Sequence, residues 1–239
     1  MKTMLTVNAT NFGLAPSDIQ IKEYRSANLL VLDGEFTVDT TAEEYAGIRP
    51  MQLSVADLPF SKSRPGTALV TVLSEGVKYA TITKVWVKDK NTICIDKIPP
   101  YKSAGSYNVK LNTMLIPERI TGEVALHQRT DHTPSVTKGE AAGLEIFTIQ
   151  SDDWLILTLK ATSLTFDTDS QTVEISVSDL AENVSCSFPV LYNEGLWVAL
   201  GSKYYPATLE NGTIVISKDS NADEASNTGN KFTRIVIVR

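Results

Sequence analysis

Apolar and polar residues alternate with a period of two at several places along the chain. Met51, Leu53 and Val55 alternate with Gln52 and Ser54, and Val173, Ile175 and Val177 alternate with Glu174, Ser176 and Ser178. Val109 and Leu111 do the same with Asn108, Lys110 and Asn112. Successive side chains of an extended strand point to opposite faces, so each stretch predicts a strand with one face on a core and the other in water. Asn211-Gly212, between a Tyr-containing run and IVIS, predicts a two-residue hairpin turn, because both residue types tolerate positive φ. Helical periodicity is weak. Residues 41–46, TAEEYA, are the best candidate, with Thr41 as N-cap and Glu44 closing a capping box. The chain therefore reads as all-β.

Compared with itself, the chain repeats. MQLSVADL at 51–58 matches VEISVSDL at 173–180, and each leads to a VL…EG segment, at 72–76 and 190–195. A third match sets NTICIDK at 91–97 beside GTIVISK at 212–218. Upstream, FTVDT at 36–40 matches LTFDT at 164–168, and LLVL at 29–32 matches LILT at 155–158. These matches are collinear and too widely spaced for a solenoid unit, so they predict a whole domain copied once. The fold class expected is all-β, with two tandem, duplicated β-sandwich or barrel-like domains. Residues 128–143, QRTDHTPSVTKGEAAG, are polar, contain Pro134 and lack strand periodicity. They place the boundary, giving a first domain over 1–126, a linker over 127–139 and a second domain over 140–239. Strands at 107–116 and 231–239 are expected to close the two halves.

Composition narrows the function classes. Hydrophobic residues make up 42% and charged residues 21%, which supports a packed core. The net charge of −6 argues against a nucleic-acid partner, which needs clustered Lys and Arg. Lys84, Lys88 and Lys90 are interleaved with Val85, Trp86 and Val87 and read as the wet face of a strand. The most apolar runs, 29–32 and 235–238, are too short to span a bilayer as a helix. The N-terminal MKTMLTVNATNFG does not resemble a signal peptide, since Asn8 and Asn11 break the apolar stretch, so a virion or cytoplasmic location is expected. Without an export signal, the sequons at Asn8, Asn183 and Asn211 carry little weight.

Candidate chemistry is sparse. His127 and His132, the only histidines, lie in or beside the expected linker, where a triad would lack a rigid scaffold; Asp131 adjoins His132. No GxSxG, GxGxxG or Walker sequence is present. The acidic neighbours Glu43-Glu44 and Asp152-Asp153 read as turn or capping residues. Asp219, Asn221 and Asp223 open like a calcium loop, but Glu224 replaces the sixth-position Gly and Asn230 the bidentate Glu, so a polar loop is expected. Cys94 and Cys186 fall at non-equivalent positions and read as reduced thiols, with neither disulfide nor metal. No cofactor and no enzymatic activity are expected.

Two groups are candidates for an interface. Trp197, Tyr204 and Tyr205, matched in the first half by Tyr79 and Trp86, could anchor a partner or stack on a sugar, or fill a core. Ile235, Val236, Ile237 and Val238 are apolar on both faces of a strand, so both faces require cover, from the chain itself or from a neighbouring subunit. The expected function is that of a structural or assembly protein of a bacteriophage particle (capsid, head fibre or tail), with itself or other virion proteins as partners and neither nucleic acid nor membrane. The alternative is a carbohydrate- or surface-binding module. With no complete ligand set and no matched cysteines, chelator and reductant should each leave the melting temperature unchanged; a fall of many degrees with either would contradict this reading.

Overall fold

The alternating stretches become strands. A computed structural model describes residues 3–11, 14–39, 50–74, 77–96, 106–120, 127–180, 184–192, 202–218 and 228–238. Among them the only helical segment is one 3-10 turn, Pro16–Asp18. The candidate helix at 41–46 lies outside the described residues. The first half contains β1 (Thr3–Met4), β2 (Val7–Thr10), β3 (Gln20–Ser26), β4 (Leu29–Asp39), β5 (Met51–Val55), β6 (Gly66–Ser74), β7 (Val77–Asp89), β8 (Thr92–Ile95) and β9 (Ser106–Leu115). The second contains β10 (Arg129–His132), β11 (Ser135–Lys138), β12 (Glu140–Ala142), β13 (Glu145–Gln150), β14 (Trp154–Thr165), β15 (Thr172–Ser176), β16 (Cys186–Tyr192), β17 (Ser202–Glu210), β18 (Thr213–Ser217) and β19 (Thr228–Val238).

The chain divides into two compact units. Unit 1 holds Met1–His127 with Ser151–Leu155 and Val236–Arg239; unit 2 holds Gln128–Gln150 and Ile156–Ile235. In unit 1 antiparallel pairing runs β1-β3-β4-β9-β6-β7-β8-β5-β2. In unit 2 it runs β13-β14-β19-β16-β17-β18-β15-β11, with β12 also on β14 and β10 on β13. The order β4-β9-β6-β7-β8-β5-β2 thus recurs strand for strand. Each unit is a curled sheet of barrel-like form.

Register is kept where two of the sequence matches are clearest. Leu53 faces Ile93 as Ile175 faces Ile214, and Met51 faces Ile95 as Val173 faces Ile216. All eight side chains are buried. The VL match is not in register. Val85 faces Ile95 as Ala207 faces Ile216. One strand further along, Gly66 faces Val85 and Phe188 faces Ala207. Val190 therefore stands where Ala68 does, and its match to Val72 is displaced by four residues (72 against 68). An even displacement keeps the same face inward, so alternating sequences match equally well at the wrong step.

The expected linker is instead a pair of strands. β10 and β11 occupy residues 129–138, pairing with β13 and β15 respectively. Their residues are exposed apart from the half-buried Val136 and Lys138 and the buried imidazole of His132, so the stretch carries no apolar alternation to read. Residues 3–10 do the same in unit 1: β1 pairs with β3 and β2 with β5. Leu5 N–H still donates to Ile21 O of β3 at 2.8 Å, while Val7 already faces Val55 of β5. One short segment thus joins the two ends of each curled sheet. In unit 2 the change of partner falls at Thr133-Pro134, where a residue without an N–H leaves no donor unpaired. A bulge lies in each such segment, between Val7 and Ala9 and between Val136 and Lys138, adding local twist.

The turn at Asn211-Gly212 forms as the sequence predicts, with φ of 48° and 73°. Gly34 marks a close approach in β4: a Cβ there would lie 2.3 Å from Gln20 O and 2.7 Å from Ile21 Cα. Gly34→Ala should therefore push β3 from β4 and cost about 1–3 kcal/mol, the usual range for overpacking. Denaturant unfolding checks this; an unchanged midpoint would contradict it.

Candidate functional site

The polar side chains with the most specific geometry gather where each sheet closes. In unit 2, β10 ends on His132, whose side chain is 3% exposed. Its Nε2 lies 2.7 Å from the Thr148 hydroxyl on β13. Its Nδ1 lies 2.9 Å from Oδ1 of Asp179, in the turn after β15. One imidazole thus touches the strand at one end of the sheet and the turn at the other. The imidazole at this distance is the main cause holding the Asp179 carboxyl below the usual carboxylate range.

Unit 1 closes with different residues at the same place. Glu23 on β3 is buried; it accepts from the Thr3 hydroxyl of β1 at 3.2 Å and pairs with Arg25 Nε at 2.8 Å. Arg25 Nη1 then donates across to the carbonyls of Ala56 and Asp57, just after β5, at 3.1 and 2.7 Å. Asp57 and Asp179 are matched residues of QLSVADL and VEISVSDL, and the Leu58 and Leu180 that follow are both buried. The repeated Asp-Leu therefore marks the seam of each sheet. Sequence reasoning passed over Glu23, Arg25, Thr148 and Asp179; the repeated Asp-Leu was the available signal. It also set His132 in a linker beside Asp131, whereas Asp131 pairs at the surface with Arg129 and the partner of His132 is the sequence-distant Asp179.

Thr148, His132 and Asp179 stand in the order of a nucleophilic triad. The Thr148 residue is wholly buried, however, so in this structure no substrate carbonyl can approach its hydroxyl. Among the described residues, no group of three His, Cys, Asp or Glu is placed to hold a metal ion. The Asp219, Asn221 and Asp223 run lies outside them, as do Glu43-Glu44. Asp152-Asp153 sit in the turn between β13 and β14. No disulfide joins Cys94 to Cys186, and burial pushes the Cys94 thiol up.

The candidate interface residues are placed as follows. Trp197 lies outside the described residues. Tyr205 is fully buried, its ring edge-on to Phe166 at 4.9 Å, and Tyr204 and Trp86 are half-buried. Ile235, Val236 and Val238 are buried and Ile237 half-buried within the single chain. In unit 1, Asn112 Nδ2 donates to Val236 O at 2.7 Å and to Asp33 Oδ1 at 2.8 Å, and Val238 N–H donates to Asp33 Oδ2 at 3.1 Å. His127 meets the buried Trp154 edge-on at 4.7 Å, also in unit 1.

No family model, curated protein or solved structure matches this chain. Among the described residues no helix is long and apolar enough to cross a membrane.

A carboxyl held below its ordinary value stabilises the fold above its unfolded pKa of about 3.9, and that contribution is lost as pH falls through the folded value. Asp179→Asn should therefore lower stability at neutral pH, and the gap from the parent protein should close below about pH 4. Urea unfolding at several pH values checks this; a gap of constant size across the range would contradict it.

Proposed function

We propose that the chain is a non-enzymatic structural protein acting through protein–protein contacts, as a component of a bacteriophage particle such as its capsid, head fibre or tail. Its partners are further copies of itself or other proteins of that particle, not nucleic acid or membrane. The observation that carries this reading is the use made of the polar groups. His132, Asp179, Glu23 and Arg25, which could have served chemistry, tie the ends of the two sheets together instead. The triad-like Thr148 is shut away from solvent. Two barrel-like units with one strand order supply rigid, repeated surface, and the net charge of −6 keeps such a protein in solution until it assembles. A sugar-binding reading draws no support from Tyr205, since its ring lies in the core.

Light scattering on the intact protein, together with a search for the chain in purified particles, tests the proposal. Assembly beyond one chain, or recovery with the particle, is the expected result. A clean monomer at tens of micromolar that is also missing from the particles would overturn it.

A further inference from the structure

We propose that the strand over residues 129–138 is exchangeable, so that unit 2 can be completed by this strand from its own chain or from a second copy of the chain. The inference rests on the assembly reading above and names the surface that would serve it.

Three observations carry it. The first is how this strand is held. The only buried side chain of β10 and β11 is the polar His132 imidazole, whereas the corresponding segment of unit 1 buries Leu5 and Val7, and β15 and β18 each bury two residues. Release therefore gives up ladder hydrogen bonds and the His132 contacts but little apolar burial, the main source of attachment for other strands. The second is the connection that follows. β11 pairs with β15 and β12 with β14, and Gly139 alone joins them, at φ +68°. Straightened at Gly139, β10 and β11 would run on from β12 and leave the sheet. One-residue connections of this kind favour exchange over a return to the same chain.

The third observation is what the vacant place would accept. It offers two open edges, β13 and β15, that can be filled by one strand changing partner midway. It also offers side-chain partners matched to this sequence: Thr148 and Asp179 for His132, and Glu174, which takes the Lys138 ammonium at 3.1 Å while its carbonyl accepts from the Thr137 hydroxyl at 3.3 Å. An arbitrary strand would leave those groups unpaired. The same strand from a second copy satisfies all of them.

Ser135 and Ser176 face each other across β11 and β15, which gives a direct test. The full chain carrying Ser135→Cys and Ser176→Cys is separated into monomer and dimer fractions. Each is oxidised and run denatured without reductant, with the unsubstituted chain as control for Cys94 and Cys186. Exchange predicts paired chains from the dimer fraction and single chains from the monomer fraction. A second variant moves the equilibrium. An alanine at 139 would place its Cβ 2.6 Å from Thr165 O at a positive φ, so Gly139→Ala disfavours the closed turn and should raise the dimer share several-fold. Dimers whose oxidised chains still separate singly would overturn exchange while leaving the assembly reading intact. Absence of any dimer in both the parent and the Gly139→Ala protein would overturn exchange as well. The assembly reading itself is judged by the scattering and particle measurements on the unsubstituted protein.

Discussion

A β-sheet that curls on itself still has two ends, and each end is a row of unpaired N–H and C=O groups open to further pairing. Both halves of this chain meet that constraint with the same device. One short segment bonds to one end of the sheet and then, after a residue or two, to the other end. Much else in the structure depends on this closure. Strand order is repeated because each half must bring β3 and β5, or β13 and β15, within reach of one segment. The polar clusters lie where they do because the change of partner interrupts the ladder, and side chains supply the missing ties across the gap.

The two seams are closed by different chemistry. In unit 1 the tie is a guanidinium on two carbonyls, backed by a buried carboxylate and reinforced by Leu5 and Val7 inside. In unit 2 it is a buried imidazole between a hydroxyl and a carboxylate, and no buried apolar side chain assists. A tie to a carboxylate as exposed as that of Asp179 contributes about 0–1 kcal/mol, less than burying one aliphatic side chain. A seam that lacks the buried pair therefore leans more heavily on its polar tie. This difference is why the exchange we propose falls on the closing strand of unit 2.

Much of this was legible in the sequence. The alternation at 51–55 and 173–177 marks half-buried strands and the repeat at 91–97 and 212–218 marks their neighbours, and the structure keeps these pairs in the same register in both units. Asn211-Gly212 was readable because the turn needs two positive φ values. The closing segment of unit 2 was not readable, because a strand whose only buried side chain is a histidine has no apolar period; its Pro134 and polar composition look like a linker. The displaced match of Val190 to Val72 has the opposite cause, since alternation repeats itself at every even step. His132 was misjudged because its partner, Asp179, is distant in sequence and near only after β15 has returned to the seam.

The closure of each sheet by a single partner-changing segment is most directly tested by cross-strand proton contacts in nuclear magnetic resonance. The account predicts contacts from residues 3–10 to both β3 and β5, with Met4 against Lys22 and Val7 against Val55. It predicts contacts from residues 129–138 to both β13 and β15, with His132 against Ile146 and Ser135 against Ser176. Contacts from either segment to only one of its two strands, or to neither, would contradict it.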